Sequence, residues 1–372
     1  MTGPAVTGAP APAALPALMR AAVWHGPGRP LTLEHLPVPR VERPEDVVIR
    51  VRAAMFGAAL VRAVTVGHPR MTPPAVLGTL VAGRIAALGP AVRHLTLGQS
   101  VTVDPHPPCG RCDTCRHGPA ALCTARARVE PGAHAEYVRL RPPLTDHVVA
   151  VPTGVSAGAA MLTEIVACVL DATDTAGIGP GQSVLVIGCG PVALIQVRLA
   201  LLRGAERVLC TVNHPARRAA VRRAGATVVD VDRAADAGRA VEADDRTAQR
   251  VRALTDGRGP HVVVEAVGRA ETYRQALALV RPGGTVVGFG GCPPGTTLPV
   301  DLNALHYRRI RYIGSYHYGP GVFRAAADLL ARGVLDLDPL LTHRIPLDRI
   351  GDAVRTARLT ECLVPVVEPW KD

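Results

Sequence analysis

The sequence predicts an α/β protein in two parts, an irregular β-rich domain and a doubly wound parallel sheet. Three observations predict it. From Ser183 onward, short apolar runs alternate with helical segments through short loops, the pattern of a parallel sheet. A Gly-rich turn, Gly188-Cys-Gly190-Pro-Val-Ala193, joins the first of these strands to a helix. Four cysteines, Cys109, Cys112, Cys115 and Cys123, crowd a polar, Gly- and Pro-punctuated loop in the other part.

Residues 1–18 carry no charge and no apolar period, so a disordered tail is expected there. Ordered sequence begins at Met19, which is also a candidate start codon. Strand-like runs follow at Asp46–Arg52, Val81–Ala87, Gln99–Val103 and Ala135–Leu140, separated by Gly and Pro signals. The alternating series then runs SVLVIG, PVALIQVRLALLRG, RVLCTV, PARRAAVRRAG, TVVDV, HVVVEAVG, ETYRQALALVRPGG and TVVGFGG. The chain ends with a helix in GVFRAAADLLARG, an extended stretch at THRIPL, a helix around Asp348–Leu359 and the run LVPVVEP.

Length and composition narrow the class. At 372 residues the chain should hold about two domains. Apolar residues make up 48% but aromatics only 3%, so the cores must be built from Ala, Val and Leu. No charged side chain occurs from 175 to 197, but six Gly and Pro residues from Gly177 to Gly190 break that stretch, which reads as strand, turn and helix and not as a membrane span. The net charge of +11 comes from Arg spread along the chain, with Lys371 the only lysine. Nucleic-acid binders cluster their basic residues and interleave aromatics, so that class is excluded.

The four cysteines, spaced C-x2-C-x2-C-x7-C, predict one Zn²⁺ held tetrahedrally with no open position, a structural site. Nothing at the N-terminus reads as an export signal, so a reducing cytoplasm is expected, which favours metal over disulfides. Cys168, Cys189, Cys210, Cys292 and Cys362 read as small core hydrophobes.

In the Gly-rich turn, Gly188 permits the tight bend and Gly190 lets a pyrophosphate approach the backbone. Ala193 allows close helix–strand packing, and Pro191 and Val192 open the helix whose free N–H groups face the phosphates. This predicts a dinucleotide site. An acid ending the second strand would hold the ribose of NAD; here Val212 is followed by Asn213 and His214, with Arg217 and Arg218 one turn on. Two guanidiniums can pair with a 2′-phosphate, so NADP is expected, with NAD possible if the two arginines are only a solvated face.

These features, with GAHAEYV, VVVEAVG, LVRPGGTVV, RIRYIGSY and LLTHRIPLD, resemble the zinc-containing medium-chain dehydrogenases/reductases, the alcohol and polyol dehydrogenases, from Met19 to Pro369. The resemblance implies a GroES-like catalytic domain at 19–166 and 304–372, with a Rossmann domain at 167–303 inserted in it. It also implies a cleft for nicotinamide and a small-molecule substrate, cofactor contacts at Val267 and Gly268, and a homodimer or homotetramer.

The family's catalytic zinc is typically held by a Cys, a His and a third Cys or acid. Its cysteine position is Gly57 here, its hydroxyl relay is Ala59, and its histidine is Thr79. Only Glu164 keeps a ligand type. One carboxylate does not make a three-ligand site, so the catalytic zinc is expected to be absent unless His68, His106 or His134 rebuilds it. Glu164 and Thr79 are then the candidates for polar catalysis, Glu164 as a general acid. Three functions stand open: zinc-independent NAD(P)H-dependent reduction of an activated C=C, C=N or C=O, as in specialised metabolism; a zinc-dependent alcohol or polyol dehydrogenase with a rebuilt site; and a non-catalytic NADP-binding protein.

Overall fold

A computed structural model describes residues 14–67, 71–231 and 246–370. Strands β1 (Leu18–Trp24), β2 (Thr32–Pro37), β3 (Val47–Met55), β4 (Ala75–Val76), β5 (Val81–Leu88), β6 (Ser100–Val103), β7 (Tyr137–Leu140) and β8 (Val148–Ala150) build the first domain. β15 (His343–Pro346) and β16 (Pro365–Glu368) return to it from the far end of the chain. The order β15-β16-β3-β5-β6-β8 forms one sheet, with β7 on β3, and β2-β1-β4 forms a smaller one. Val366 of β16 faces Met55 of β3, so segments from both ends of the chain share one sheet.

Between them lies a parallel six-stranded sheet of order β11-β10-β9-β12-β13-β14. Its strands are β9 (Ser183–Ile187), β10 (Arg207–Val212), β11 (Thr227–Asp230), β12 (Val262–Glu265), β13 (Thr285–Gly288) and β14 (Arg311–Gly314). The central strands β9, β12 and β13 read as mostly apolar because both faces are covered. Val184 and Val186 join one core, and Leu185 and Ile187 the other. The order reverses between β9 and β12, whose carboxyl ends therefore open a crevice for a ligand.

Two expectations meet a different arrangement. A boundary at 303/304 would put β14 in the catalytic domain, but β14 pairs with β13 and extends the inserted sheet to Gly314. Of the expected tail, residues 1–13 lie outside the described residues. Leu18 already belongs to β1, and Arg40 donates to the Leu15 and Pro16 carbonyls. No helix among the described residues is long and apolar enough to cross a membrane.

Candidate active site

Where β9 turns into the helix Pro191–Leu202, Gly188 has φ +117°, a conformation that favours glycine. Gly190 caps this helix and Pro191 opens it. Thr211 Oγ1 accepts from Gly188 N at 2.9 Å, which pins the turn to β10. A Cβ on Gly190 would meet nothing nearer than Arg217 Nη1 at 3.9 Å. The space above the turn is therefore open, and the helix N–H groups point toward it.

A cavity of about 520 Å³ occupies that space, lined among others by Gly188, Gly190, Asn213, Arg217, Val267 and Arg269. Buried Ala193 lies beneath the turn. Across the crevice, Gly268 has φ +82°, and a Cβ there would lie 2.5 Å from Gly291 O. Buried Glu265 fixes this second turn: its Oε1 accepts from Val267 N, Gly268 N and Thr272 Oγ1 at 2.7–2.9 Å. Desolvation pushes the Glu265 carboxyl up, against those hydrogen bonds.

The two arginines differ. Arg217 lines the cavity and donates to the carbonyls of Thr360 and Cys362 at 2.8 and 3.1 Å, which ties the catalytic domain to the cavity rim. Arg218 donates to Asp230 Oδ1 at 2.8 Å and is not among the cavity-lining residues. Arg269, which the sequence reading did not single out, lines the cavity and is exposed.

In the catalytic domain, Gly57 caps the helix Ala58–Val66, and the Met55 methyl lies 2.9 Å from where its Cβ would stand. Met55 N donates to Leu80 O at 3.3 Å, so the segment bearing half-buried Thr79 runs beside this turn. Met55 also shares a buried core with Met161 and Leu162, just before Glu164 in the first turn of the helix Thr163–Thr175. Gly57 offers no ligand atom and Thr79 only a hydroxyl. The donors present do not fit the family's catalytic zinc.

Glu164 has other neighbours. Cys168, one turn along the same helix, has its Sγ 3.5 Å from Glu164 Oε1. His317, after β14, has Nδ1 at 3.9 Å from the same oxygen. Burial pushes the Glu164 carboxyl up to about 7, the Asp104 charge adds to this, and a hydrogen bond from Cys168 and the Arg126 charge oppose it. Tyr318 donates to Asp104 at 2.7 Å, and the His106 ring stands edge-on to His317 with centroids 5.5 Å apart.

Cys168 packs against the core as expected, but it is only partly buried and its sulfur faces a carboxylate. The spacing of Glu164 and Cys168 along one helix face was the available signal. His134 is fully buried: its Nε2 lies 3.1 Å from Met55 O, its ring stacks on Phe56, and burial lowers its pKa to about 4. His68 lies outside the described residues.

The four cysteines converge. Sγ separations are 3.4 Å for Cys112–Cys115, 3.9 Å for Cys112–Cys123 and 4.0 Å for Cys109–Cys115. The backbone N–H groups of Arg111 and Cys112 hold the Cys109 thiol down, at about 6, as suits a thiolate ligand. Burial pushes Cys115 up to about 12. Four sulfurs within 4.8 Å of one another fit one tetrahedral zinc, which would brace this loop. Arg126 links the loop to the cleft, donating to the carbonyls of Cys123, Ala120 and His106.

Residues 43–153 match the alcohol dehydrogenase GroES-like domain, and residues 191–332 match the zinc-binding dehydrogenase family. The chain is 30% identical over 365 residues to a sorbitol dehydrogenase of Bacillus subtilis, covering 95% of this chain and 98% of that one. It is 30% identical to an L-threonine 3-dehydrogenase of Sinorhizobium medicae, covering 92% and 96%. A crystal structure of a zinc-binding dehydrogenase from Sinorhizobium meliloti bound to NADP superposes with a TM-score of 0.83 at 29% identity, covering 95% of this chain and all of that one. With both domains, the crevice and the cysteine loop in place, the chain belongs to the zinc-type medium-chain dehydrogenases/reductases and is an NAD(P)-dependent oxidoreductase.

Proposed function

We propose that the protein transfers hydride between NADP(H) and an activated C=C, C=N or C=O of a small molecule, without the zinc that alcohol dehydrogenases of this family use. The observation that carries this reading is Gly57 and Thr79 at two of the three metal positions, beside an open phosphate cradle. The relatives' names favour the C=O/alcohol pair among the acceptors. Asn213 in place of an acid, Arg217 at the cavity and the NADP-bound relative support NADP, with NAD as the weaker ligand. Gly188, Gly190, Pro191, Val192 and Ala193 form the pyrophosphate turn, and Val267 and Gly268 face it.

In the reducing direction, NADPH held in this crevice would supply a hydride to the electrophilic carbon of the substrate. The π electrons move to the heteroatom or to the far carbon, which takes a proton. Glu164, whose carboxyl burial pushes up to about 7, supplies that proton and is recharged from water. Thr79 donates a second hydrogen bond to the developing charge. Zinc serves only the loop of Cys109, Cys112, Cys115 and Cys123, and such thiolate ligation suits a reducing cytoplasm. The test is NADPH oxidation against a panel of ketones, imines and enones, using protein that metal analysis shows to hold one zinc per chain. Turnover is expected; inactivity that added zinc restores would refute the reading.

The protein also assembles as a homodimer or homotetramer in this proposal. Edge strand β14 exposes Tyr312, and Leu302 and Tyr307 stand 74% and 80% exposed just before it. Light scattering tests this, and a monomer at micromolar concentration would count against it.

A further inference from the structure

We propose that Glu164, Cys168 and His317 form a second, three-donor site for a zinc-like divalent cation, and that filling it inhibits the enzyme. Two of its donors lie away from the positions, Gly57 and Thr79, at which this family holds its catalytic metal. The site itself stands on geometry alone; only the inhibition rests on the function proposed above.

One ligand atom from each residue lies within 4.8 Å of the other two. Around a tetrahedral zinc, with bonds of about 2.0–2.3 Å, a sulfur and an oxygen ligand stand about 3.5 Å apart and a nitrogen and an oxygen about 3.3 Å. The Cys168–Glu164 separation is 3.5 Å, and the His317–Glu164 separation of 3.9 Å needs to close by about half an ångström. Glu164 and Cys168 are held one turn apart on the same helix, already at ligand spacing.

The surroundings suit a cation. Asp104 adds a second negative charge near Glu164, held in place by Tyr318. The charge that opposes a cation is Arg126, which is committed to loop carbonyls. One thiolate, one imidazole and one carboxylate select zinc or cobalt over magnesium or calcium. Three protein donors leave a fourth position for water or an inhibitor. A cation bound here would occupy the Glu164 carboxylate that the proposed reduction uses.

The experiment starts from protein whose cysteine loop already holds zinc and titrates Co²⁺ into it. One further equivalent should bind, with a sulfur-to-cobalt charge-transfer band and four-coordinate visible absorption. Cys168→Ser should abolish the charge-transfer band, and His317→Gln should weaken Co²⁺ binding at least ~10-fold. NADPH affinity serves as the folding control for both variants. No second equivalent, or a band that survives in Cys168→Ser, overturns the site.

Steady-state rates recorded during the titration separate the two claims. Inhibition that tracks the second equivalent supports both. Activation by it keeps the site and overturns the metal-free reaction and the inhibition. Activity without any second equivalent overturns the site and keeps the reaction.

Discussion

Cys168 stands one helical turn beyond Glu164, with its sulfur 3.5 Å from the Glu164 Oε1 atom. The two side chains share one face of the helix Thr163–Thr175. Desolvation is the largest influence on Glu164, and it pushes the carboxyl up to about 7.

Glu164→Gln should lower kcat for reduction by roughly 10²–10⁴-fold, the usual scale of a general acid. NADPH affinity should stay within about twofold, because the cofactor turns do not involve this residue. In the wild type the protonated form is the donor and its pKa is raised to about 7. The rate should therefore be highest below that value and fall as pH rises through it, and the variant should lose this limb. An unchanged kcat–pH profile would remove Glu164 from the mechanism.

The two glycines of the cradle should fail differently. Gly190→Ala has room for its methyl, so the fold should keep its Tm while NADPH binding weakens ~10-fold or more, as the methyl enters the pyrophosphate's place. Gly188→Ala must take φ +117° with its Cβ 3.1 Å from Val267 Cγ2, and should lose about 1–3 kcal/mol of stability. Calorimetry and cofactor titration on both variants distinguish the cases.

Arg217, and not Arg218, should govern cofactor choice. Arg218 is paired with Asp230, so Arg218→Ala should change the NADPH Kd by less than about twofold, the scale of an exposed pair. Arg217→Ala should raise the NADPH Kd ~10-fold or more, the worth of a charged hydrogen bond, and raise that for NADH less. Equal losses for both cofactors would assign Arg217 to the domain contact at Thr360 and Cys362 alone.

Zinc in the cysteine loop should appear as stability. At a free zinc concentration a hundredfold above Kd, binding contributes about 2.7 kcal/mol, and chelation or Cys112→Ser should remove it. Because Arg126 bonds to Cys123 and Ala120 as well as His106, loss of zinc should also loosen the cleft near His317. Tm and His106/His317 NMR signals measured with and without chelator test both effects.

Much of this was legible in the chain. The central parallel strands are buried on both faces, so Val184–Ile187 and Val262–Val264 print as unbroken apolar runs. The cysteine loop and the glycine turn announce themselves by spacing. β1 was missed because Arg20 interrupts it; that charge is satisfied far away in sequence, by Glu136 at 2.8 Å. β14 was assigned to the wrong domain because Arg311–Gly314 is a short, exposed edge strand with little apolar signal. The helix Arg246–Ala253 escaped because only Thr247, Ala248 and Val251 are buried among its charges. His317 carries no local mark of function; only the return of the chain after β14 brings it to Glu164.

Hydride transfer in this protein is proposed to need no catalytic metal. The deciding experiment is single-turnover NADPH oxidation by protein holding one zinc per chain, with the remaining metal removed by chelator. Rates equal to or above those of metal-supplemented protein are predicted. No hydride transfer until a second zinc per chain is restored would contradict the claim.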